Sequence, residues 1–482
     1  MTRTTTPLLF PILDPVPTLP KSGKVLQGVA FFFGFSPFFS IAATNIFLFI
    51  FLSLWVVDLC KKKNVFNLHR TPFDIVLATY FFVWVGASLA GFSPLTSLMK
   101  IPVLHYPLLF YFLLFAYKGS LIPWVLCGVG VGGGVNVLYG WGQFITWQWI
   151  YDYPYGHVPE WVMNMPEKWR GYLTLSSGQG RIHGALHILT YSALLLPPFL
   201  YSGALILERS KPLVYIIAFW VTGGALILAA ERGPFYGALL GSLLMILFHP
   251  RRLRLLGAVS LLILMLWFHP LFLSRLTGTP FNVPSEKLSS TVIGGAVSIK
   301  EGKKEKGDTF LAQKIKIIKQ DHRILLWKGG FYIASRHPFL GVGPGQIGPV
   351  TALYNKNADF PPNSMGQEED LHSLYIQRLV EMGFPGLVVS VWVILVFLKT
   401  GREFYRRRNS ILPQFPVSRP ESIRALALGV WALFLAYGVI NLTERAYDDA
   451  EVSIVFWVLA ATSVWFIRNS PLLGEVKFEG ER

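Results

Sequence analysis

The feature that most constrains this chain is a series of long apolar runs that recur along almost its whole length. A helix needs roughly 20 apolar residues to cross the hydrocarbon core of a bilayer. Hydrophobic residues make up 52% of the sequence and charged residues only 15%, whereas a typical soluble domain carries about 25% charge. The pattern predicts an all-α polytopic membrane protein with about twelve transmembrane helices. The predicted spans are residues 26–39, 41–59, 73–91, 101–117, 121–149, 183–206, 213–230, 233–249, 255–273, 372–398, 423–441 and 451–467.

Two regions of this pattern are weakly defined. Gly34, Ser36 and Pro37 separate the first two spans, so residues 26–59 form either two short helices or one broken segment. Several glycines between residues 128 and 134 lower the helix propensity of the fifth span. In a membrane, small residues of this kind can instead mark close packing between helices.

The basic residues are concentrated in alternate short loops. Clusters of Lys and Arg occur at 61–70, 209–211, 251–254 and 399–408, and the short loops between them have almost none. Enrichment in alternate loops marks the cytoplasmic side of a membrane protein. This distribution explains the net charge of +16 without nucleic acid as a partner. Both termini are then cytoplasmic, and the segments predicted on the periplasmic face are 150–182, the Glu231–Arg232 turn, 274–371 and 442–450.

The predicted organisation is one membrane domain with a large periplasmic insertion. Residues 1–273 form nine spans with short loops, residues 274–371 form the large loop, and residues 372–482 contain three spans and a cytoplasmic tail. Apolar residues recur with helical spacing within 310–336, so the loop is predicted to be mainly helical. No cleavable signal is expected at the N-terminus. Cys60 and Cys127 are too few for a disulfide framework or a cysteine-based metal site.

Several charged residues lie at the predicted outer ends of helices. Arg181 and His183 precede one span, Arg232 lies in a short turn, and His372 begins another span after an acidic run that ends at Asp370. Charges this close to hydrocarbon usually face a cavity or a partner, although an arginine there can also serve as an interfacial anchor. A carboxylate beside His372 would raise its pKa and orient its ring, as a general base requires. The same acids would also favour the positive end of the helix dipole.

Four short motifs occur in order along the predicted outer face. They are GRIHG (180–184), AERGPFYGALLG (230–241), HRILLWKGGFYIASRHPFLGVGPGQ (322–346) and DLHSLYIQRLVEMGFPGL (370–387). This series resembles the O-antigen ligase and polymerase family of bacterial envelope proteins, over roughly residues 170–440. The resemblance implies a fold similar to the multi-helix membrane glycosyltransferases, with one large periplasmic loop.

The resemblance also implies roles for individual residues. Catalytic roles fall on His372, Arg232 and Arg323, with His372 as the base and Ser373 standing where Asn is commoner. Arg232 matches the arginine of a Ser-Arg-Gly turn, although Glu231 replaces the serine. Substrate-binding roles are implied for Arg181, His183, His187 and Trp327, and the helix signature continues through Glu381, Gly383 and Gly386.

The activity implied by the resemblance is transfer of a glycan from undecaprenyl diphosphate to a sugar of the lipid A core, at the periplasmic face of the inner membrane. Such an enzyme uses no metal ion, cofactor or nucleotide sugar, and its partners are the lipid-linked donor, the glycan acceptor and membrane lipid. Arg181, Arg232 and Arg323 would bind the diphosphate bidentately, and direct displacement would invert the anomeric carbon.

Two alternatives stay open from the sequence. A polymerase that uses the same donor shares the fold and the Arg and His set, although the spacing between Arg323 and His372 resembles that of ligases. A transporter would place polar residues in mid-span, where Asn136 and Gln143 are candidates. Most ionisable residues lie instead at helix ends, which argues against transport.

Overall fold

A computed structural model describes residues 21–62, 70–100, 105–115, 119–146, 164, 182–209, 212–229, 231–267, 322–356, 360, 370–410 and 420–469. These residues form helices and connecting turns, with no β-strand among them. In chain order the helices are α1 (Lys21–Phe35), α2 (Ile41–Lys62), α3 (Asp74–Ala90), α4 (Pro94–Leu98), α5 (His105–Phe115), α6 (Ile122–Phe144), α7 (Ile188–Leu194), α8 (Leu196–Glu208), α9 (Leu213–Ala229), α10 (Arg232–Phe248), α11 (Arg252–Trp267), α12 (His322–Arg336), α13 (Ile347–Tyr354), α14 (Leu374–Arg407), α15 (Pro420–Thr443) and α16 (Ala450–Arg468).

The predicted apolar runs coincide with these helices. Each of the twelve runs overlaps at least one helix in the described part of the chain. Within that part, five helical segments are long and apolar enough to cross a membrane: Ile122–Phe144, Leu189–Glu208, Leu374–Arg407, Pro420–Thr443 and Ala450–Arg468. Other apolar helices, such as α3, α9 and α10, are shorter. The all-helical membrane fold is therefore confirmed, and the number of twelve spans stays a prediction.

Residues 26–59, which the sequence left as one or two segments, lie in two separate helices. A short 3₁₀ turn at Ser36–Phe38 connects α1 to α2, and its three residues are buried. Pro37 lies at the start of this turn, where its missing N–H costs no helical hydrogen bond.

The glycines of α6 lie at a close crossing with α1. A Cβ on Gly128 would lie 2.0 Å from Phe31 O, and a Cβ on Gly34 would lie 2.1 Å from Val125 O. Helix backbones can approach this closely only where small residues meet. The glycine-rich stretch forms one continuous helix, and the second interpretation from the sequence, close helix packing, is confirmed.

Helix α15 lies at the centre of the C-terminal half. It packs against α8, α10 and α14, and most of its side chains are buried. Three glycines at four-residue spacing on α10 face it: Cβ atoms there would lie 2.6 Å from Thr443 Oγ1 (Gly233), 2.9 Å from Ala436 O (Gly237) and 3.1 Å from Ala432 O (Gly241). The glycines of the AERGPFYGALLG motif are therefore packing residues that set α10 against α15.

The basic segments are joined at one end of the bundle. Arg254 Nη1 donates to Arg209 O at 2.8 Å, and Arg251 Nη1 donates to Glu208 O at 3.1 Å. Arg209 Nη1 in turn pairs with Glu421 Oε2 at 3.4 Å. The segments that the charge pattern predicts on one side of the membrane thus meet at the same end. Their cytoplasmic location stays a prediction.

The described part of the predicted large loop folds back onto α14. In the segment 337–349, Val342 N donates to Val380 O and Gly343 N donates to Glu381 O, both at 2.9 Å. Here α14 has a kink at Gly383, whose φ of +67° is left-handed, and a Cβ at this glycine would lie 2.5 Å from Phe339 O. Glycine tolerates both the left-handed φ and the close approach of Phe339 O, because it has no Cβ. The loop and the kink therefore depend on each other.

The α1–α6 crossing yields a stability prediction. Gly128→Ala should lower the free energy of unfolding by about 1–3 kcal/mol, because the added methyl group overpacks a backbone contact. Gly134→Ala in the same helix is the matched control, since a Cβ there meets open space and alanine is the better helix former. Thermal unfolding of the purified chain in detergent checks this. Equal melting temperatures for the two variants would contradict the close crossing.

Candidate active site

His372 has an unusual backbone conformation immediately before α14. Its φ of +47° makes it the non-glycine residue with left-handed backbone among those the structure describes. Asp370 Oδ1 accepts its N–H at 2.8 Å, and Ser373 caps the helix that follows. Strained backbone of this kind persists only where the surroundings hold it. Trp327 Nε1 contributes by donating to Leu371 O at 2.9 Å, so α12 holds the segment that presents His372.

Glu444 brings three elements of the structure together. It follows α15 directly, and its backbone O accepts from Leu374 N at 3.1 Å. Its Oε1 accepts from Arg323 Nη2 at 2.6 Å, and its Oε2 lies 3.8 Å from His372 Nδ1. The carboxylate is almost fully buried, with 6% of its side chain exposed. One carboxylate therefore links the predicted base and one of the predicted catalytic arginines.

The pKa of His372 is raised above its usual value. The Glu444 carboxylate, whose Oε2 lies 3.8 Å from Nδ1, is the largest cause, because it favours the protonated ring. Partial burial opposes it, and the negative charge of Asp370 raises the pKa further. The positive charge of Arg323 lowers the pKa to a lesser extent. The sequence predicted a carboxylate beside His372, and Asp370 is confirmed in that position. The other acids of the run, Glu368 and Glu369, lie outside the described residues.

A cavity of about 200 Å³ lies beside Glu444. Its walls come from the starts of α7, α10 and α16, the end of α15 and the loop between α15 and α16. The charged and polar lining residues are His187, Asp370, Glu444, Arg445, Asp448 and Asp449. The cavity is thus small, polar and predominantly acidic. Among the described residues no cluster of His, Cys, Asp and Glu has the arrangement of a metal site.

The other predicted site residues lie at the same end of the bundle or just outside the described chain. Arg232 begins α10, and its neighbour Gly233 approaches the side chains of Thr443 and Glu444. His187 caps α7, since its Nδ1 accepts from Leu189 N at 3.4 Å, and its side chain lines the cavity. Arg181 lies outside the described residues, so its predicted place beside the other arginines is not described.

His183 is buried in a turn that Gln143 holds. The Oε1 of Gln143 accepts from His183 N at 3.2 Å and from Gly184 N at 2.9 Å, and its Nε2 donates to Gly184 O at 2.9 Å. His183 Nδ1 lies 3.1 Å from Leu186 O. Gln143, a candidate for lining a transport path, thus has its amide engaged in holding the backbone of His183 and Gly184.

Glu444 is not among the site residues that the sequence predicts. The signal was present in ERAYDD (444–449), which places four charged residues between two spans on the predicted outer face. Charges at that depth usually have partners, but the sequence does not say which ones. Only the packing of α15 brings Glu444 to His372.

A comparison with known protein families matches the central part of the chain. Residues 217–391 match the O-Antigen ligase family model. The predicted resemblance is confirmed over this O-antigen ligase segment, which contains Arg232, Arg323, Trp327 and His372. His183, His187 and Glu444 lie outside it. The chain is therefore similar to the O-Antigen ligase family over residues 217–391, and its described part includes helices long and apolar enough to cross a membrane. No curated protein matches the chain.

The contact between Glu444 and His372 yields a prediction about titration. Glu444→Gln should lower the pKa of His372, because the variant removes the largest interaction that favours the protonated ring. Diethyl pyrocarbonate acylates only the unprotonated imidazole, so its rate of reaction with the His372 peptide, followed by mass spectrometry across pH, measures this pKa. Glu403→Gln, at the other end of α14, is the control.

The same contact makes stability depend on pH with a defined sign. Because the folded pKa is raised, the pair contributes fully below the unfolded value of about 6.5. Its contribution is lost as pH rises through the raised folded pKa. An unchanged His372 pKa in folded Glu444→Gln would contradict both statements.

Proposed function

We propose that this protein is an O-antigen ligase-like glycosyltransferase that transfers a glycan from undecaprenyl diphosphate to a sugar of the lipid A core, at the periplasmic face of the inner membrane. The observation that carries the proposal is the arrangement of His372, Glu444 and Arg323, in which one buried carboxylate contacts both the imidazole and the guanidinium. The O-antigen ligase segment contains two of these three residues.

In the proposed mechanism, His372 is the general base. Its Nδ1 is directed at Glu444, so Nε2 is the nitrogen that takes the proton from the acceptor hydroxyl. Glu444 would hold the ring in this tautomer and stabilise the imidazolium that forms. The raised pKa makes His372 a stronger proton acceptor than a free imidazole, as a general base requires.

Arg323 and Arg232 would bind the diphosphate of the donor. Arg323 is separated from His372 by the width of a single carboxylate group, so a diphosphate at its fork would bring the glycosidic bond close to the base. Charge that builds on the leaving group would be stabilised there without a metal ion. Arg181 would join them from the segment that precedes His183.

The cavity beside Glu444 fits the sugar of the acceptor better than the diphosphate. Its carboxylates, Asp370, Glu444, Asp448 and Asp449, accept hydrogen bonds from hydroxyl groups and repel phosphate. Attack by an acceptor bound there, on the face opposite the leaving diphosphate, would invert the anomeric configuration.

Transfer by the purified chain tests the proposal. Undecaprenyl-diphosphate glycan, lipid A-core acceptor and chelator would be combined with wild type and with His372→Ala, each checked for folding. We expect His372→Ala to lower the rate about 100- to 10,000-fold, the usual contribution of a general base. His337→Gln is the matched histidine control, because its ring contacts Tyr354 at 3.0 Å and lies outside the proposed machinery.

The products distinguish the alternatives. A product the size of lipopolysaccharide, made by wild type and lost in His372→Ala, supports the ligase. Lengthening of the lipid-linked donor without transfer to the core would identify a polymerase. If folded protein with matched substrates makes neither product, glycosyl transfer is refuted and the transporter alternative is the one to test.

A further inference from the structure

Beyond the three residues of the proposed mechanism, the charged side chains at this end of the bundle form one continuous line of alternating sign. Asp370 accepts the backbone N–H of His372, and Glu444 lies 3.8 Å from its Nδ1. Each carboxylate also contacts an arginine: Arg445 Nε lies 3.8 Å from Asp370, and Arg323 lies 2.6 Å from Glu444. The line continues inward from Arg445 through Asp448 and Arg378 to Glu381. His372 is therefore the titrating member of a line of fixed charges.

Arg378 is the most deeply buried cation of this line. Only 3% of its side chain is exposed. Its Nη1 donates to Glu381 Oε2 at 2.7 Å, its Nη2 donates to Asp448 Oδ1, and its guanidinium lies 5.0 Å from the centre of the Trp84 ring. These contacts come from α14, from the loop between α15 and α16, and from α3. Three separate elements thus determine the orientation of one guanidinium.

The burial of this ion cluster needs a reason other than stability. Buried ion pairs contribute little net stability compared with well-packed apolar side chains, because desolvation offsets the attraction. Glu381 is fully engaged, since its Oε1 also accepts from Gln377 Nε2 at 2.8 Å and from Gly345 N at 2.9 Å. Arg378 therefore ties Asp448 to a carboxylate that the 337–349 loop holds in place.

Arg445 connects Arg378 to the surroundings of His372. Its Nε lies 3.3 Å from Asp448 Oδ2 and 3.8 Å from Asp370 Oδ1, so the two carboxylates compete for one guanidinium. Asp448 is satisfied by Arg378 on its other oxygen, which leaves Arg445 able to bridge to Asp370. Asp370 in turn accepts the N–H of His372.

We propose that Arg378 is a positioning residue for His372: by holding Asp448, it keeps Arg445 between Asp448 and Asp370 and so fixes the charges around the imidazole. The measurement of glycan transfer rests on the proposed function, whereas the measurement of the His372 pKa does not. Four charged groups face His372 or the carboxylates beside it: Glu444 after α15, Arg323 on α12, Asp370 before α14 and Arg445 in the α15–α16 loop. Without Arg378, Asp448 would draw Arg445 away, and the full negative charge of Asp370 would act on His372.

The test measures His372 in Arg378→Gln. We expect the pKa of His372, measured from acylation of the His372 peptide by diethyl pyrocarbonate, to rise by about half a unit to one unit. The reason is that Arg445 would move away from Asp370, and loss of a nearby positive charge raises the pKa of an imidazole. In the pH profile of the transfer rate, the pH at which activity falls on the acidic side should rise by the same amount, with little change in KM for the donor. Arg408→Gln, an arginine stacked on Tyr405 at 3.8 Å beyond the far end of α14, should leave both unchanged.

A second substitution separates positioning from general damage. Arg378→Gln combined with Asp448→Asn removes the carboxylate that would compete for Arg445, so the pKa of His372 should return to or below the wild-type value. A purely structural role predicts no such recovery. Arg378→Lys serves if Arg378→Gln does not fold, because lysine keeps the charge but lacks the fork that spans Glu381 and Asp448, and a smaller rise is expected.

The outcomes are separable. An unchanged or lowered His372 pKa in folded Arg378→Gln, or in folded Arg378→Lys if only that variant folds, would overturn the positioning role. The positioning role would also be overturned if the His372 pKa rises as much in the double variant as in Arg378→Gln. A shift in acylation without glycan transfer by wild type would instead refute the proposed function and leave the positioning role standing.

Discussion

The packing of α15 is the constraint on which the rest of this structure depends. A helix that contacts α8, α10 and α14 along its length has little freedom to slide or rotate, and the glycines of α10 bring the backbone of α10 into direct contact with that of α15. Lipid supplies no hydrophobic force between helices, so close van der Waals contact between small residues takes its place. Because α15 ends at Thr443, this packing determines where Glu444 lies.

Charge pairing then organises the end of the bundle that α15 reaches. A carboxylate as buried as Glu444 requires a cation or hydrogen-bond donors, and Arg323 and His372 supply them from different elements. The same requirement recurs at Asp448 and Glu381, which share Arg378. The proposed base thus lies in an electrostatic environment fixed by residues far from it in sequence.

The 337–349 loop adds a second kind of rigidity. Its backbone hydrogen bonds to α14 at the kinked position, and Phe92 N donates to Val342 O at 2.9 Å from the segment after α3. Left-handed glycines at 341 and 383 permit the approach, since a side chain at either would meet backbone atoms. The Gly/Pro-rich sequence of this loop therefore serves packing against a helix rather than mobility, and it anchors the inner end of the charge line.

The amino-acid sequence by itself determined which segments are apolar helices, because hydropathy and length are local properties, and it singled out His372, Arg323 and Trp327 through the motifs they stand in. From the sequence, the break at 36–38 and the glycines of α6 remained ambiguous. A glycine lowers helix propensity, but it also allows two helices to pack closely in a membrane. Only the tertiary structure decided that Glu444 faces His372, that Gln143 holds the backbone at His183 and Gly184, and that Arg378 joins two carboxylates. The Glu444–His372 pair joins residues 72 positions apart, and no periodicity records it. These pairings follow from helix packing, which local sequence does not encode, because the partner of a buried charge depends on where another helix ends.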